Sequence, residues 1–409
     1  MIERIWLKNF RMLAGNRVDL GHFSVLVGRN ASGKTTLMSA LRFVSQVLAD
    51  GVERAVEAAL DGSGAAFADL GFRKGEPVAL ALAIRLAEGT YRYELEVGVA
   101  AGSAHPVVLR ENLFRLTDAP QDLPAQPSLF ADADSLDEVV HTQAPKHWRK
   151  IVGKTAEGKD YFRDESTDWN NQFRFGATRS ALGNIPEDTD RFPGAIAVRN
   201  LLRDRVMMVE LDSHKLRMPS PPRSPLRLLR DGANLAAAAR ELLQRDQIAY
   251  RQWVRHVADA VGGLADIDTW ERPEDRNVVL RAVFHGAHDA PVPSWLLSDG
   301  TLRLMALSLL AFAEEPEVPG LYLIEEPENG LHPLAIQSVF DSLSQLRTAQ
   351  VFVATHSPVF LAHTTLQQAL VFRRRASGTA EIRRGAEVAE LLAWKDRVQL
   401  SDVFASGVL

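Results

Sequence analysis

The chain has no cysteine in 409 residues, which excludes disulfides, cysteine-ligated zinc and thiol catalysis. No apolar stretch reaches membrane-spanning length, and the opening residues Met1 to Ile5 do not read as a signal peptide. A soluble, cytoplasmic protein without a membrane partner is therefore expected. There is no basic excess either: 47 Lys and Arg stand against 52 Asp and Glu, a net charge of −5, so no global signal for nucleic acid exists. Heptad repeats are missing as well. Prolines at 186, 193, 219, 221, 222, 225 and 273 interrupt the middle of the chain, which excludes long coiled-coil arms. What remains, 46% hydrophobic and 24% charged residues, is an ordinary globular composition, with length for two or three domains.

Two segments carry most of the chemistry. Gly28, Gly33, Lys34 and Thr35 complete a G-x-x-x-x-G-K-[ST] loop between an apolar run, Phe23 to Val27, and an apolar helix-like run, Leu37 to Leu48. This is the strand–loop–helix context of a phosphate cradle. Backbone N–H groups turn inward on phosphate, and the helix offers its positive end. Lys34 would reach the β/γ oxygens, and the Thr35 hydroxyl would sit on Mg²⁺. The second segment, Leu321 to Ile324, is a buried-strand pattern closed by Glu325 and Glu326. Acids at the carboxyl end of such a strand suit an α/β nucleotide site. Glu325 would hold Mg²⁺, directly or through water, and Glu326 would polarise the attacking water as general base. The pair predicts a nucleotide hydrolase.

Two weaker segments narrow the class. Ser298 and Gly300 stand just before an apolar helical pattern (Leu302, Leu304, Met305, Leu307), a second anion site at a helix N-terminus, although an ordinary helix cap explains them equally well. His356 follows a β-like run, Val351 to Ala354, where a satisfied polar group is the plainer reading. Their order around the acid pair is what makes them specific.

In that order the residues resemble ATPases of the ABC type, in the branch that includes SMC-like repair proteins and OLD-like phage-defence ATPases. The resemblance implies roles by position. Gly28 to Thr36, with Asn30 and Thr36, look like the Walker A loop, and Leu297 to Thr301 look like the signature motif. Leu321 to Glu326 resemble Walker B, with Glu325 replacing the usual Asp and Glu326 in the catalytic position. Asn329 to Pro333 match the D-loop and His356 the switch histidine. Lys8 to Arg11 look like the branch's opening strand, whose basic Arg11 would approach nucleotide. Segments Tyr91–Glu94, Arg110–Glu111 and Asp231–Ala236 are similar to stretches common in stand-alone defence members. No glutamine is assigned to the Q-loop. The resemblance is dense at both ends of the chain and thin between about Asp118 and Pro193.

The implied fold is an α/β, ABC-type P-loop ATPase head. About 270 residues separate Gly28 from Ser298, so the head is expected to be split. Residues 1–117 would form its N-terminal part and 286–409 its C-terminal part. Between them, 118–285 would form a compact, mainly helical inserted lobe. Strands are predicted at Ile2–Phe10, Phe23–Val27, Val78–Leu86 and Tyr91–Val99, a surface loop at 118–127, and a helix from Leu235 to Val261. The family implies ATP and Mg²⁺ as ligands and a dimer in which Ser298 of one head faces Lys34 of another.

About 53 residues follow His356, too few for the nuclease domain of OLD-like relatives, and Glu387, Glu390, Asp396 and Asp402 are too scattered to suggest a metal cluster. A separate effector protein, a nuclease or toxin, is the expected partner. Double-stranded DNA is a second candidate, through Lys146 to Lys150, the arginines 217, 223, 227 and 230, or Arg373 to Arg375. Two readings follow: an ATP-gated sensor or scaffold in bacterial defence, and a repair or recombination ATPase acting directly on DNA.

Overall fold

The structure, a computed structural model, describes residues 1–60, 66–100, 105–117, 139–157, 159–286, 290–314 and 320–394. In chain order the strands begin β1 (Ile2–Phe10), β2 (Leu13–Asp19), β3 (Phe23–Gly28), β4 (Val78–Leu86), β5 (Gly89–Val99), β6 (Pro106–Leu116), β7 (Trp148–Thr155), β8 (Asp160–Arg163) and β9 (Asn170–Phe173). They continue with β10 (Val206–Val209), β11 (Leu264–Glu271), β12 (Val278–Phe284), β13 (Val292–Pro293), β14 (Gly320–Glu325), β15 (Ala349–Ala354), β16 (Ala369–Arg374) and β17 (Ala380–Arg384). The helices are α1 (Lys34–Asp50), α2 (Val52–Ala59), α3 (Pro193–Asp204), α4 (Ser213–Arg217), α5 (Leu235–Arg245), α6 (Gln247–Ala260), α7 (Asp299–Phe312), α8 (Pro333–Ser344), α9 (Pro358–Ala362) and α10 (Ala389–Trp394).

These elements form two compact units. One comprises Met1–His22, Gly28–Val206 and Leu370–Arg384; the other comprises Phe23–Val27, Met207–Ala369 and the chain from Gly385. In the first, eight strands make one sheet in the order β2-β1-β4-β5-β6-β7-β8-β9, every neighbouring pair antiparallel. Helix α1 buries Leu37, Leu41, Val44 and Leu48, the i, i+4, i+7 stripe of an amphipathic helix. Charged groups inside this sheet are hydrogen-bonded, as burial requires. Glu94, wholly buried, accepts from Arg92 at 2.7 Å, from Asn112 at 3.0 Å and from the His141 backbone at 2.8 Å. Glu111 accepts from Tyr93 at 2.9 Å and from Ser180 and the Ala181 backbone at 2.6 Å. The segments Tyr91–Glu94 and Arg110–Glu111 are thus braces of the sheet.

In the second unit β14, β15 and β3 lie side by side and parallel. Their continuous apolar runs match strands covered on both faces. Register brings their carboxyl ends level: Glu325 pairs with Ala354, and Ala354 with Leu26. Helices α6, α7 and α8 pack on one another, and Trp253 donates from Nε1 to Ser308 Oγ at 3.0 Å. Strands β11, β12 and β13 form a small antiparallel sheet beside α5 and α6.

The predicted strands are present, while the middle of the chain departs from expectation. Residues 139–285 are a mixture of strand and helix: β7, β8 and β9 extend the large sheet and β11 and β12 build another. Their patterning is hidden because charged positions face inward in pairs, as with Lys154 and Asp160, both wholly buried and 2.6 Å apart. Neither expected boundary, 117/118 or 285/286, coincides with a boundary between the units. The predicted helix 235–261 is two helices. Asp246 adopts an extended conformation, ends α5, and caps α6 by accepting from the Ala249 backbone at 2.9 Å. The predicted loop 118–127 lies outside the described residues, as do Asp396 and Asp402. Among the described residues no helix is long and apolar enough to cross a membrane.

Candidate nucleotide site

The phosphate loop follows β3 directly. Gly28 meets its neighbours closely: a Cβ there would lie 2.4 Å from the Phe372 carbonyl oxygen and 2.8 Å from Ser32 Oγ. Ala31 and Gly33 take φ of 59° and 108°, the left-handed region where glycine is the natural occupant. Gly33 is also the N-cap of α1, and no side chain caps that helix. The helix dipole at this end favours an anion. Lys34, buried, folds over the loop and donates from Nζ to the carbonyls of Gly28 at 2.7 Å and Arg29 at 3.1 Å. Ser32 Oγ is buried without a hydrogen-bond partner among the described residues. Asn30 and Thr35 are exposed, whereas Thr36 is buried.

The second unit holds the acids. Glu325 ends β14, and its Oε1 is buried with no hydrogen-bond partner among the described residues. An orphaned carboxylate oxygen at a strand end has the chemistry of a cation ligand. Glu326 is exposed, and its φ of 46° is rare for a residue with a Cβ. The twist is held by three bonds, from Glu326 N to the Ala354 carbonyl at 2.8 Å, from Asn329 N to the Glu326 carbonyl at 3.1 Å and from Asn329 Nδ2 to Glu326 Oε2 at 2.7 Å. It turns the carboxylate out of the strand.

Glu328 links the acid loop to His356. Its Oε1 accepts from Thr355 Oγ1 at 2.7 Å and from the His356 backbone N–H at 2.9 Å. Ser298 is the N-cap of α7 and accepts from the Thr301 backbone at 3.1 Å. Gly300 is packed against Gly330, since a Cβ would lie 2.5 Å from the Gly330 carbonyl oxygen. Glu326, Asn329, Gly330, His356, Ser298 and Gly300 thus belong to one connected cluster of loops.

A family model described as "AAA domain, putative AbiEii toxin, Type IV TA system" matches residues 23–362, a span that begins with β3 and closes after His356. The chain belongs to this AAA family. Among solved structures, this AAA protein is similar to an Smc head bound to the C-winged helix domain of ScpA, with a TM-score of 0.55 and 16% identity over 93% of this chain and 97% of that one. It is also similar to a Pyrococcus furiosus Smc head domain with an extended coiled coil bound to the C-terminal domain of ScpA, with a TM-score of 0.51 and 13% identity over 97% and 99%. No curated protein matches by sequence. At these identities the likeness establishes the fold, that of an SMC-type head.

Two residues bonded to these loops have structural roles that the sequence reading of this AAA protein did not assign. Glu328 is one; its position between the acid pair and Asn329 was the available signal. Arg217 is the other. It donates to the Leu297 carbonyl and to Asp299, bracing the signature loop from a distant segment. The Arg11 guanidinium donates to the Ala59 carbonyl at the end of α2. Its neighbour Met12 lies at the phosphate loop, with Sδ 3.2 Å from where a Gly33 Cβ would be, as does Ala380 Cβ.

Proposed function

We propose that this protein binds and hydrolyses ATP as an ABC-type, dimeric switch. The uncapped N-terminus of α1 within a loop of left-handed residues is the observation that carries the reading. Backbone N–H groups and Lys34 would hold the β- and γ-phosphates. Gly28 and Gly33 leave room for the backbone to approach them, with Asn30 and Thr36 flanking. Thr35 and Glu325 would hold Mg²⁺, which when bound neutralises charge on the phosphate oxygens. Glu326 would take the proton of the attacking water as its oxygen bonds to the γ-phosphorus and the bond to the β,γ-bridging oxygen breaks, leaving ADP and phosphate. His356, set by Glu328, would steady the γ-phosphate.

Ser298 and Gly300 would meet the nucleotide bound to a second copy, so that ATP assembles the dimer and hydrolysis releases it. The family description, with its toxin–antitoxin context, favours a defence role in which the dimer restrains or releases a separate effector, a nuclease or toxin. Steady-state ATP turnover of the wild type and Glu326→Gln, with and without duplex DNA, tests this. Turnover that is indifferent to DNA and lost in the variant is expected. Strong stimulation by DNA would instead support a repair-type ATPase, and wild-type turnover in Glu326→Gln would remove it as the base.

A further inference from the structure

We infer that residues 218–230, with the two cavities beside them, form a docking surface for an acidic, apolar-anchored segment of a protein partner. The inference rests on the switch reading only in supposing that such a partner exists. The segment is pinned from within. Asn234, 1% exposed, donates to the carbonyls of Pro225 at 2.6 Å and Arg227 at 2.7 Å and accepts from the Leu229 backbone at 2.8 Å. Ser220 exchanges backbone bonds with Val278 at 2.8 and 2.9 Å, and prolines 219, 221, 222 and 225 restrict the backbone further. A loop so fixed is preorganised, which lowers the ordering cost of binding.

Yet this rigid segment leaves Leu226 60% and Met218 49% exposed. Arg223, Arg227 and Arg230 are exposed too, and none has an ion-pair partner among the described residues. Elsewhere in the unit Arg240, Arg251, Arg272, Arg276 and Arg281 are each paired with a carboxylate. Three arginines without an ion-pair partner among the described residues thus stand together on one pinned loop.

Leu226 stands between cavities of about 220 and 340 Å³. Arginines 223, 227, 240, 245 and 276 line them against only Glu241 and Glu271, a local positive excess on a chain of net charge −5. The smaller cavity has an apolar floor of Leu242, Leu309 and Leu310. Phosphate backbone has no use for that floor. A carboxylate-rich segment with an apolar side chain uses both features, the anchor filling a pocket and the acids meeting arginine at the rim.

The surface is also wired to the ATPase elements. Leu309 and Leu310 belong to α7, and Tyr322 of β14 lines the same cavity. The loop begins directly after Arg217, which holds Leu297 and Asp299 of the signature loop. A seated partner thus bears on both α7 and β14.

Selection from a random peptide-display library on the immobilised full chain tests the inference, with Arg223→Glu/Arg227→Glu and the milder Arg223→Gln/Arg227→Gln as comparison proteins. Enriched peptides should combine Leu, Phe or Met with Asp and Glu. Fluorescence anisotropy with one such synthetic peptide should show affinity lower by about tenfold or more in the double variants. No enrichment, peptides that bind the double variants as well as wild type, or a labelled duplex DNA that takes their place at the same arginines would each overturn it. Peptide binding is measured without ATP, so its failure is distinct from failure of the ATPase reading, which the variants' own ATP turnover reports.

Discussion

Single side chains divide the labour sharply. Lys34 is held by two carbonyls of its own loop, so its charge is in place before a nucleotide arrives, and Lys34→Ala is expected to abolish nucleotide binding. Fluorescent ATP-analogue titration checks this, and unchanged affinity would remove the phosphate-loop assignment. Glu328 tests a subtler role. Glu328→Ala deletes the acceptor shared by Thr355 and His356, and a displaced catalytic group costs about ten- to a hundredfold in rate. Turnover should fall by that order while ATP affinity holds, with substantial rescue in Glu328→Gln, which keeps a carbonyl acceptor. A loss of affinity in step with turnover would mean that Glu328 merely supports the fold.

Among elements, the contact between the signature helix and the D-loop is the most sensitive. The backbone of Gly300 approaches that of Gly330 too closely for a Cβ, and backbone is a neighbour that cannot rotate away. Gly300→Ala should lower turnover and cost about 1–3 kcal/mol in stability, read from the denaturant midpoint. In the loop before α5, one amide makes three of the bonds that hold it. Asn234→Ala leaves one part-buried donor and two carbonyls without their partner, a loss of about 1–3 kcal/mol, and should also raise protease sensitivity between residues 218 and 231. Intact stability in that variant would mean that the prolines alone hold the segment.

For the whole molecule, the nucleotide is expected to act as a linked ligand. ATP at a hundred times its dissociation constant stabilises a binding protein by about 2.7 kcal/mol. The wild type should therefore show a rise in melting temperature that Lys34→Ala lacks. Glu326→Gln, if Glu326 is the base, should bind without hydrolysing and accumulate a dimer with ATP, seen by light scattering after gel filtration. A variant that remains monomeric at saturating ATP would separate catalysis from assembly.

Some of this was legible in the sequence because it is local. The phosphate loop, the acid pair and the strands β1, β3, β4 and β14 are contiguous patterns whose chemistry needs no distant partner, and the AAA family and SMC-type head fold agree with the resemblance they carry. Tertiary structure decided what depends on pairing. Buried ion pairs concealed the strands β7 and β8 by placing charge where apolar residues are expected. One aspartate, capping in place of continuing, divided a helix that periodicity ran together. Arg11 and Arg217 bear the same charge, and sequence offered both to phosphate. Folding instead engaged each with backbone carbonyls, Ala59 for one and Leu297 for the other, because a side chain's partner is set by what the rest of the chain brings within hydrogen-bond reach.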